Sequence, residues 1–282
     1  MKNNGKSHYT IKFVDKTLTD ISKHANLEQP EQVKQYIANK TVTNGTKRNY
    51  IAVYKRYCQY YGIQWQIPLY KQEAKIRRIP TTEKLNILIA RASPRLSLKL
   101  RLSKETGLRP IEICNLKVKD IDLDRRRIYP TTAKNGAPRT LKISNSLQET
   151  LQNHINTNKL NQNDKLFRGT PANYGKNFSA MRNNTAEKLN DQSIKAIRLY
   201  DLRHYFATRL YAKTRDLLYV KQQLGHKDIE TTLIYVQLLD FDEEDEWICK
   251  VATTVKDSTQ LIENGFQYVM EQDGTKLFRK RK

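Results

Sequence analysis

The sequence predicts a mainly α-helical protein with a small antiparallel β-sheet, divided into two domains. Apolar residues recur at helical spacing along most of the 282 residues. Strand-like runs are concentrated in one stretch, DIDLDRRRIYPTTAKNGAPRTLKI, with a second hairpin signal near the C-terminus. A charged break, KQEAKIRRIP, separates a short helical region from a longer one.

Residues 1–18 are polar and basic and are expected to form a flexible arm. Helices follow across residues 19–75, in TDISKHANL, PEQVKQYIAN and TKRNYIAVYKRYCQYYG. In the third, Tyr50, Val53, Tyr54, Tyr57 and Tyr61 recur at i, i+3, i+4, i+7 and i+11, a helical face expected to pack in a core. Lys47, Arg48, Lys55 and Arg56 lie around that face, either solvated or on phosphates, and Gly62 suits the helix stop. A second domain, 79–246, opens at Pro80-Thr81-Thr82-Glu83, with proline and hydroxyl groups placed before the apolar LNILIA. Gly107 should end a helix over 95–106, and Pro110 should restart one through IEICNL.

Three short strands then follow, with Asn135-Gly136 as a two-residue hairpin turn because both positions tolerate positive φ. Helices resume over 145–157, 173–190, 201–213, 216–224 and 229–239. The acidic run Asp240 to Glu246 is a solvated connector to a tail, 247–282. There the spacing predicts a helix over 247–263, with Ile248, Val251, Val255 and Leu261 as an apolar stripe, then a hairpin turning at Asp273-Gly274.

Lys and Arg number 51 against 29 Asp and Glu, a formal charge of +22. A chain this basic repels itself, and a polyanion, nucleic acid first, is the expected compensating partner. The hydrophobic fraction of 38% suffices for a packed core and argues against wholesale disorder. No apolar run approaches the ~20 residues of a membrane span, and the opening MKNNGKSHYTIKF lacks the apolar core of a signal peptide. A cytoplasmic protein, nucleoid-associated when bound to DNA, is therefore expected. Cys58, Cys114 and Cys249 are widely spaced with no CxxC pair, which implies neither a disulfide framework nor a structural metal.

Several side chains point to phosphate chemistry. Arg109 sits between a glycine break and Pro110 at a helix N-terminus, where backbone N–H groups already favour an anion and a planar guanidinium matches two phosphate oxygens. Glu112, three residues on, can orient that fork. Arg203 opens a helix that otherwise looks buried, and is either an ordinary surface charge or points at an anion that the protein grips. Lys134 lies at the hairpin tip, where a lysine is ordinarily solvated but can also enter a DNA groove and protonate a leaving oxygen. His226 follows Gly225 in a loop, ordinarily a structural place, and Tyr235 sits where a core aromatic is the ordinary expectation.

Their order changes this picture. The chain reads TGLRPIEI, AKNGAPRTLKI, LYDLRHYFAT and QQLGHKDIETTLIYV. This series resembles the tyrosine recombinase (lambda-type integrase) family across about residues 80–239. That family carries an arginine in a TGLR-E motif, a hairpin lysine, an HxLRH box, an LGH box and a TTxxY nucleophile. Tyr200 stands where the box has its first histidine, which resembles the archaeal plasmid- and virus-borne branch. Gln237 occupies the place where a histidine is often found two residues after the nucleophile.

The resemblance implies a two-domain DNA clamp, with a helical core-binding (SAM-like) domain before about residue 75 and a catalytic domain after it. It implies site-specific recombination, integrating or excising a mobile element, with no metal, no ATP and no other cofactor. Arg109 and Arg203 would clamp the non-bridging oxygens of one phosphodiester, and Tyr235 would attack phosphorus to give a 3′-phosphotyrosyl link. Lys134 would protonate the departing 5′ oxygen, and His226 would bond the phosphate or position the nucleophile. Tyr200, a poor base with a reference pKa near ~10, would donate to the phosphate or pack beside it. His204 is expected to be a buried structural histidine, and Lys47, Arg48 and Arg56 to meet DNA.

Double-stranded DNA is the implied partner, with a homotetramer on paired sites and a monomer or weak association without DNA. The tail would dock on a neighbouring protomer. Two rival functions share much of this chemistry: a type IB topoisomerase relaxing DNA as a monomer, and a catalytically inactive DNA-binding protein of the same fold. The short helical N-terminal domain favours recombination over the first, and intact Arg109, Lys134, Arg203 and Tyr235 argue against the second.

Overall fold

Two units, Met1–Ile76 and Arg77–Lys282, divide the chain in the computed structural model. The described residues are 5, 7–71, 78–133, 136–235, 247–272 and 274–281. In the first unit α1 (His8–Ser22), α2 (Pro30–Asn39) and α3 (Asn44–Tyr61) enclose Ile21, Val33, Ile37, Ile51, Tyr54 and Cys58. The flexible arm expected through residue 18 gives way to helix from His8. Ser7 Oγ caps α1 by accepting from the Thr10 N–H at 3.2 Å, and Val14, Thr17 and Ile21 form a narrow buried stripe that the polar composition concealed.

The aromatic face of α3 is corrected in part. Ile51, Val53, Tyr54 and Cys58 are buried, whereas Tyr61 is 62% exposed. Tyr50 serves a polar purpose: its hydroxyl donates to Asp20 Oδ2 at 2.6 Å, joined there by Tyr36 Oη at 2.8 Å and Lys40 Nζ at 2.9 Å. The Tyr50 hydrogen bond is the largest cause holding the Asp20 carboxyl below its ordinary range, with burial opposing it and Lys40 and Tyr36 assisting.

In the second unit α4 (Thr82–Arg91) precedes α5 (Pro94–Thr106), in which Leu96, Leu98, Leu100 and Leu102 are buried together with Lys99, Ser103 and Thr106, so that it packs against its neighbours on several sides. α6 (Pro110–Asn115) leads into β1 (Ile121–Asp122), β2 (Arg127–Ile128) and β3 (Leu141–Lys142), an antiparallel sheet of that order. Ile128 pairs with Ile121 on one side and Leu141 on the other, so the sheet turns one apolar face to the core. α7 (Asn145–Thr157), α8 (Pro171–Lys188), α9 (Asp201–Thr214), α10 (Leu217–Leu224) and α11 (Glu230–Leu233) complete the catalytic portion. The helix expected over 229–239 is described only as far as Tyr235; the remainder and the acidic run lie outside the described residues.

The hairpin differs from expectation at its tip. Gly136 N–H bonds Ala133 O at 3.2 Å, spanning Lys134 and Asn135, which lie outside the described residues. Gly136 does not have positive φ. It is glycine for a different reason: a Cβ there would stand 2.9 Å from Gly225 O.

In the tail, β4 (Trp247–Ala252) replaces the first half of the expected helix, followed by α12 (Val255–Glu263), β5 (Gln267–Gln272) and β6 (Thr275–Arg281) in the order β4-β6-β5. Non-local pairing decides this: β4 pairs with β6 from Trp247↔Arg281 to Ala252↔Lys276, and Thr254 Oγ1 caps α12 separately. The predicted stripe is thereby divided between two elements, with Val251 and Val255 exposed. The second hairpin is present, pairing Gln272 with Thr275 beside a left-handed Gly274. Ala252, Leu261, Phe266 and Phe278 form the tail's own small core.

Candidate active site

Arg203 is 1% exposed, and the ends of two helices explain how a charge can sit there. Its Nη1 donates to Gly107 O at 2.5 Å and its Nη2 to Leu224 O at 2.7 Å. Gly107 caps α5 and Leu224 is the last residue of α10, so both carbonyls are orphans at negative helix ends. Gly107 is itself required, since at φ +63° a Cβ would meet the Phe206 ring at 2.4 Å. Burial, then the like charge of Arg109, lowers the Arg203 pKa to about 10, still fully protonated at neutral pH.

Nη2 of Arg203 also faces His226 Nε2 at 3.1 Å. A guanidinium can only donate, so Nε2 must be an acceptor, and the proton resides on Nδ1, which bonds Thr232 Oγ1 at 2.9 Å. His226 is therefore neutral. Its pKa falls to about 4, through burial first and then Arg203 and Arg109. With the folded pKa below the unfolded one, the native chain binds fewer protons, so this group's contribution to stability is present above the unfolded value and lost as pH falls through about 4. Ring ¹⁵N shifts of His226 should accordingly show the Nδ1–H tautomer and no titration between about pH 5.5 and 8. An imidazolium signal at pH 6 would exclude this hydrogen-bond assignment.

Arg109 precedes α6, a helix of only six residues, and its own N–H already bonds Glu112 Oε2 at 2.8 Å. The anion-binding helix end expected from the sequence is thus weak, and the guanidinium carries the site. Nη1 of Arg109 reaches Glu112 Oε1 at 3.0 Å, as expected of an orienting carboxylate.

A residue not singled out from the sequence completes the arrangement: Arg139, whose side chain is fully buried, bonds Glu112 Oε2 through Nη2 at 2.7 Å. Burial raises the Glu112 pKa, but Arg139 and then Arg109 outweigh it and hold the carboxyl below its ordinary value. Because Arg139 shares the carboxylate, Glu112 can orient Arg109 without cancelling its charge. Arg139 also packs on Gly225, where a Cβ would stand 2.8 Å from Nη1, and Ala137 N–H bonds Gly225 O at 3.3 Å. The return arm of the hairpin is so fastened to the His226 turn.

Tyr235, 2% exposed, packs in a cluster with Ala207, Val220 and Leu224. Its ring stacks near His226, with centroids 6.5 Å apart, and its hydroxyl lies 3.2 Å from His204 Nδ1. His204 is buried as expected, but it touches the candidate nucleophile, which the sequence did not disclose. Tyr200 is 40% exposed at the start of α9, edge-on to His204 at 5.2 Å. The structure thus groups Arg109, Arg203, His226 and Tyr235, with Tyr200 beside them, while Lys134 lies outside the described residues.

Of the residues expected on DNA, Arg48 and Arg56 are exposed. Lys47 Nζ instead donates to Ala38 O at 2.6 Å and lies over the Tyr70 ring, a contact inside its own unit. Among the described residues no group of three His, Cys, Asp or Glu is placed to hold a metal ion, and no helix is long and apolar enough to cross a membrane.

A buried arginine and a partly buried one are thus grouped with a histidine and a tyrosine, the set the sequence led us to expect of a tyrosine recombinase. The chain belongs to the phage integrase family, whose model matches residues 71–241. It is a tyrosine-type site-specific recombinase. It is 28% identical to the tyrosine recombinase XerA of Saccharolobus solfataricus, over 75% of this chain and 70% of that protein. It is likewise 28% identical to a tyrosine recombinase of Pseudothermotoga lettingae, over 82% of this chain and 83% of that one. Its fold is similar to that of the Tn1549 transposon integrase in complex with transposon right end DNA, with a TM-score of 0.67 at 17% identity, covering 85% of this chain and 92% of the other.

Proposed function

We propose that this enzyme cuts and rejoins double-stranded DNA at paired sites, moving a mobile element into or out of a DNA molecule. The observation that carries this reading is the phenol of Tyr235 beside the bonded Arg203–His226 pair. Tyr235 Oη attacks phosphorus, the bond from phosphorus to the 5′ oxygen breaks, and a 3′-phosphotyrosyl link retains the energy for rejoining. Arg109 and Arg203 stabilise the charge gathering on the non-bridging oxygens, in a preorganised site that pays no reorganisation cost at the moment of reaction. His226, neutral and fixed by Thr232, holds Arg203 in register. Tyr200, at the exposed rim, donates a hydrogen bond to the phosphate, and Arg48 and Arg56 meet the DNA backbone. Four protomers act on two duplexes, with the tail linking neighbours, and neither metal nor ATP takes part.

Nicked suicide substrates carrying candidate recombination sites test this. A covalent adduct separates an enzyme from a DNA-binding protein, and strand exchange between duplexes separates recombination from relaxation. No adduct on any site would sink the reading.

Lys134 has its own prediction in this scheme as the acid. Replacing the 5′ bridging oxygen by sulfur gives a leaving group that needs no proton. Lys134→Ala should therefore be slow on ordinary DNA, by roughly 10²-fold or more, and near the wild-type rate on the sulfur substrate. An equal defect on both substrates would make Lys134 a positioning residue. EDTA should change neither rate.

A further inference from the structure

We infer that His204 is the general base of this active site, taking the proton from Tyr235 as the nucleophile attacks. The inference rests on the proposed recombinase chemistry and adds a catalytic residue to it. A phenol with a reference pKa near ~10 is almost wholly protonated at neutral pH, so the attack needs an acceptor within hydrogen-bond reach.

Among the described residues three groups stand out as candidates for this role, and geometry separates them. His226 stacks against the Tyr235 ring, but both of its nitrogens are engaged elsewhere, Nε2 by Arg203 and Nδ1 by Thr232. Its lowered pKa agrees with a ring that does not take up a proton. Tyr200 is itself a phenol, sits 40% exposed, and turns its ring edge to His204. His204 Nδ1 stands 3.2 Å from Tyr235 Oη. In the tautomer with its proton on Nε2, this buried imidazole offers the hydroxyl a lone pair that can accept its proton.

Chain order reinforces the geometry. Arg203 and His204 are consecutive in the first turn of α9, so one rigid element carries both the cation that stabilises the phosphorane and the base that releases the nucleophile. Among the described residues His204 faces the rings of Tyr200 on α9 and Tyr235 after α11, with His226 after α10 close enough to feel its charge. The proton balance closes. As the bond from Oη to phosphorus forms, the phenolic proton passes to Nδ1, while the 5′ oxygen leaves with a proton from the acid. On rejoining, the 5′ hydroxyl attacks, the bond from phosphorus to Oη breaks, and the imidazolium returns its proton to the phenolate oxygen.

The test uses the full chain on nicked suicide DNA, with adduct formation by the wild-type chain scored first. Its absence would sink the recombinase reading itself. Given a wild-type adduct, His204→Asn, which keeps a polar atom near the Nδ1 position but accepts no proton, should slow cleavage at saturating DNA by roughly 10²-fold or more, with DNA affinity unchanged.

His204→Ala should be rescued by imidazole in solution, and a series of substituted imidazoles should give rates that rise with their pKa. A purely structural histidine shows no such slope. Rejoining from a preformed adduct should slow in the same variants. His204→Asn at the wild-type rate overturns the assignment, and a flat imidazole series overturns it too. Should His204→Ala fail to fold, His204→Asn carries the comparison, with its melting temperature measured alongside.

Discussion

Replacing Tyr235 by Phe is expected to abolish the covalent protein–DNA adduct completely. DNA affinity should stay within about a factor of five, because a lost neutral hydrogen bond is worth roughly 1 kcal/mol. Only the hydroxyl is removed, which lies 3.2 Å from His204 Nδ1. The ring remains against Ala207, Val220 and Leu224, so α11 keeps its packing. Denaturing gels with end-labelled nicked DNA measure the adduct, and fluorescence anisotropy measures binding. An adduct of undiminished yield would remove Tyr235 as the nucleophile. Loss of binding together with loss of the adduct would show that the phenol supports the fold and does not serve chemistry alone.

What the sequence disclosed of this site follows from how local each signal is. Gly107, Pro110, Gly225 and the caps of most helices act within a few residues, and those elements stand where their spacing placed them. The four side chains gathered around Arg203 were legible because each lies in a short motif whose residues are fixed by one turn or one helix end.

Contacts that cross the chain were not legible. Arg139 meets Glu112 across 27 residues and His204 meets Tyr235 across 31, and neither pair leaves a periodic trace. Gly136 illustrates the same limit. Its neighbour Asn135 suggested a positive-φ turn, whereas its real constraint is the close approach of Gly225 O. In the tail, β4 carries helix-like spacing, yet six paired positions on β6 outweigh it. The start of α1 was hidden in the opposite way, by polar residues surrounding a stripe of only Val14, Thr17 and Ile21.

Arg203 should prove the least replaceable of the two arginines, for reasons of both chemistry and folding. Loss of one preorganised charged donor at a transition state costs roughly 10²–10³ in rate, about 3–4 kcal/mol. Arg203→Ala also strands Gly107 O and Leu224 O, two buried helix-end carbonyls, at roughly 1–3 kcal/mol each. His226 loses the donor to Nε2 in the same substitution, which frees it to change tautomer. The alanine variant should therefore melt well below the wild-type chain, and its slow cleavage would mix two effects.

Arg203→Lys separates them. A lysine retains the charge and can satisfy one carbonyl, but a single ammonium cannot span Gly107 O, Leu224 O and His226 as the planar fork does. It should melt nearer to wild type and still cleave at least roughly 10²-fold more slowly at saturating DNA. Arg109 differs in being held by one carboxylate that Arg139 continues to occupy, so Arg109→Ala should lose rate with a smaller change in melting. Cleavage by Arg203→Lys at the wild-type rate would mean that charge alone suffices and that the fork geometry is incidental. Equal melting losses in Arg109→Ala and Arg203→Ala would show that the two helix-end carbonyls are satisfied by other donors once the guanidinium has gone.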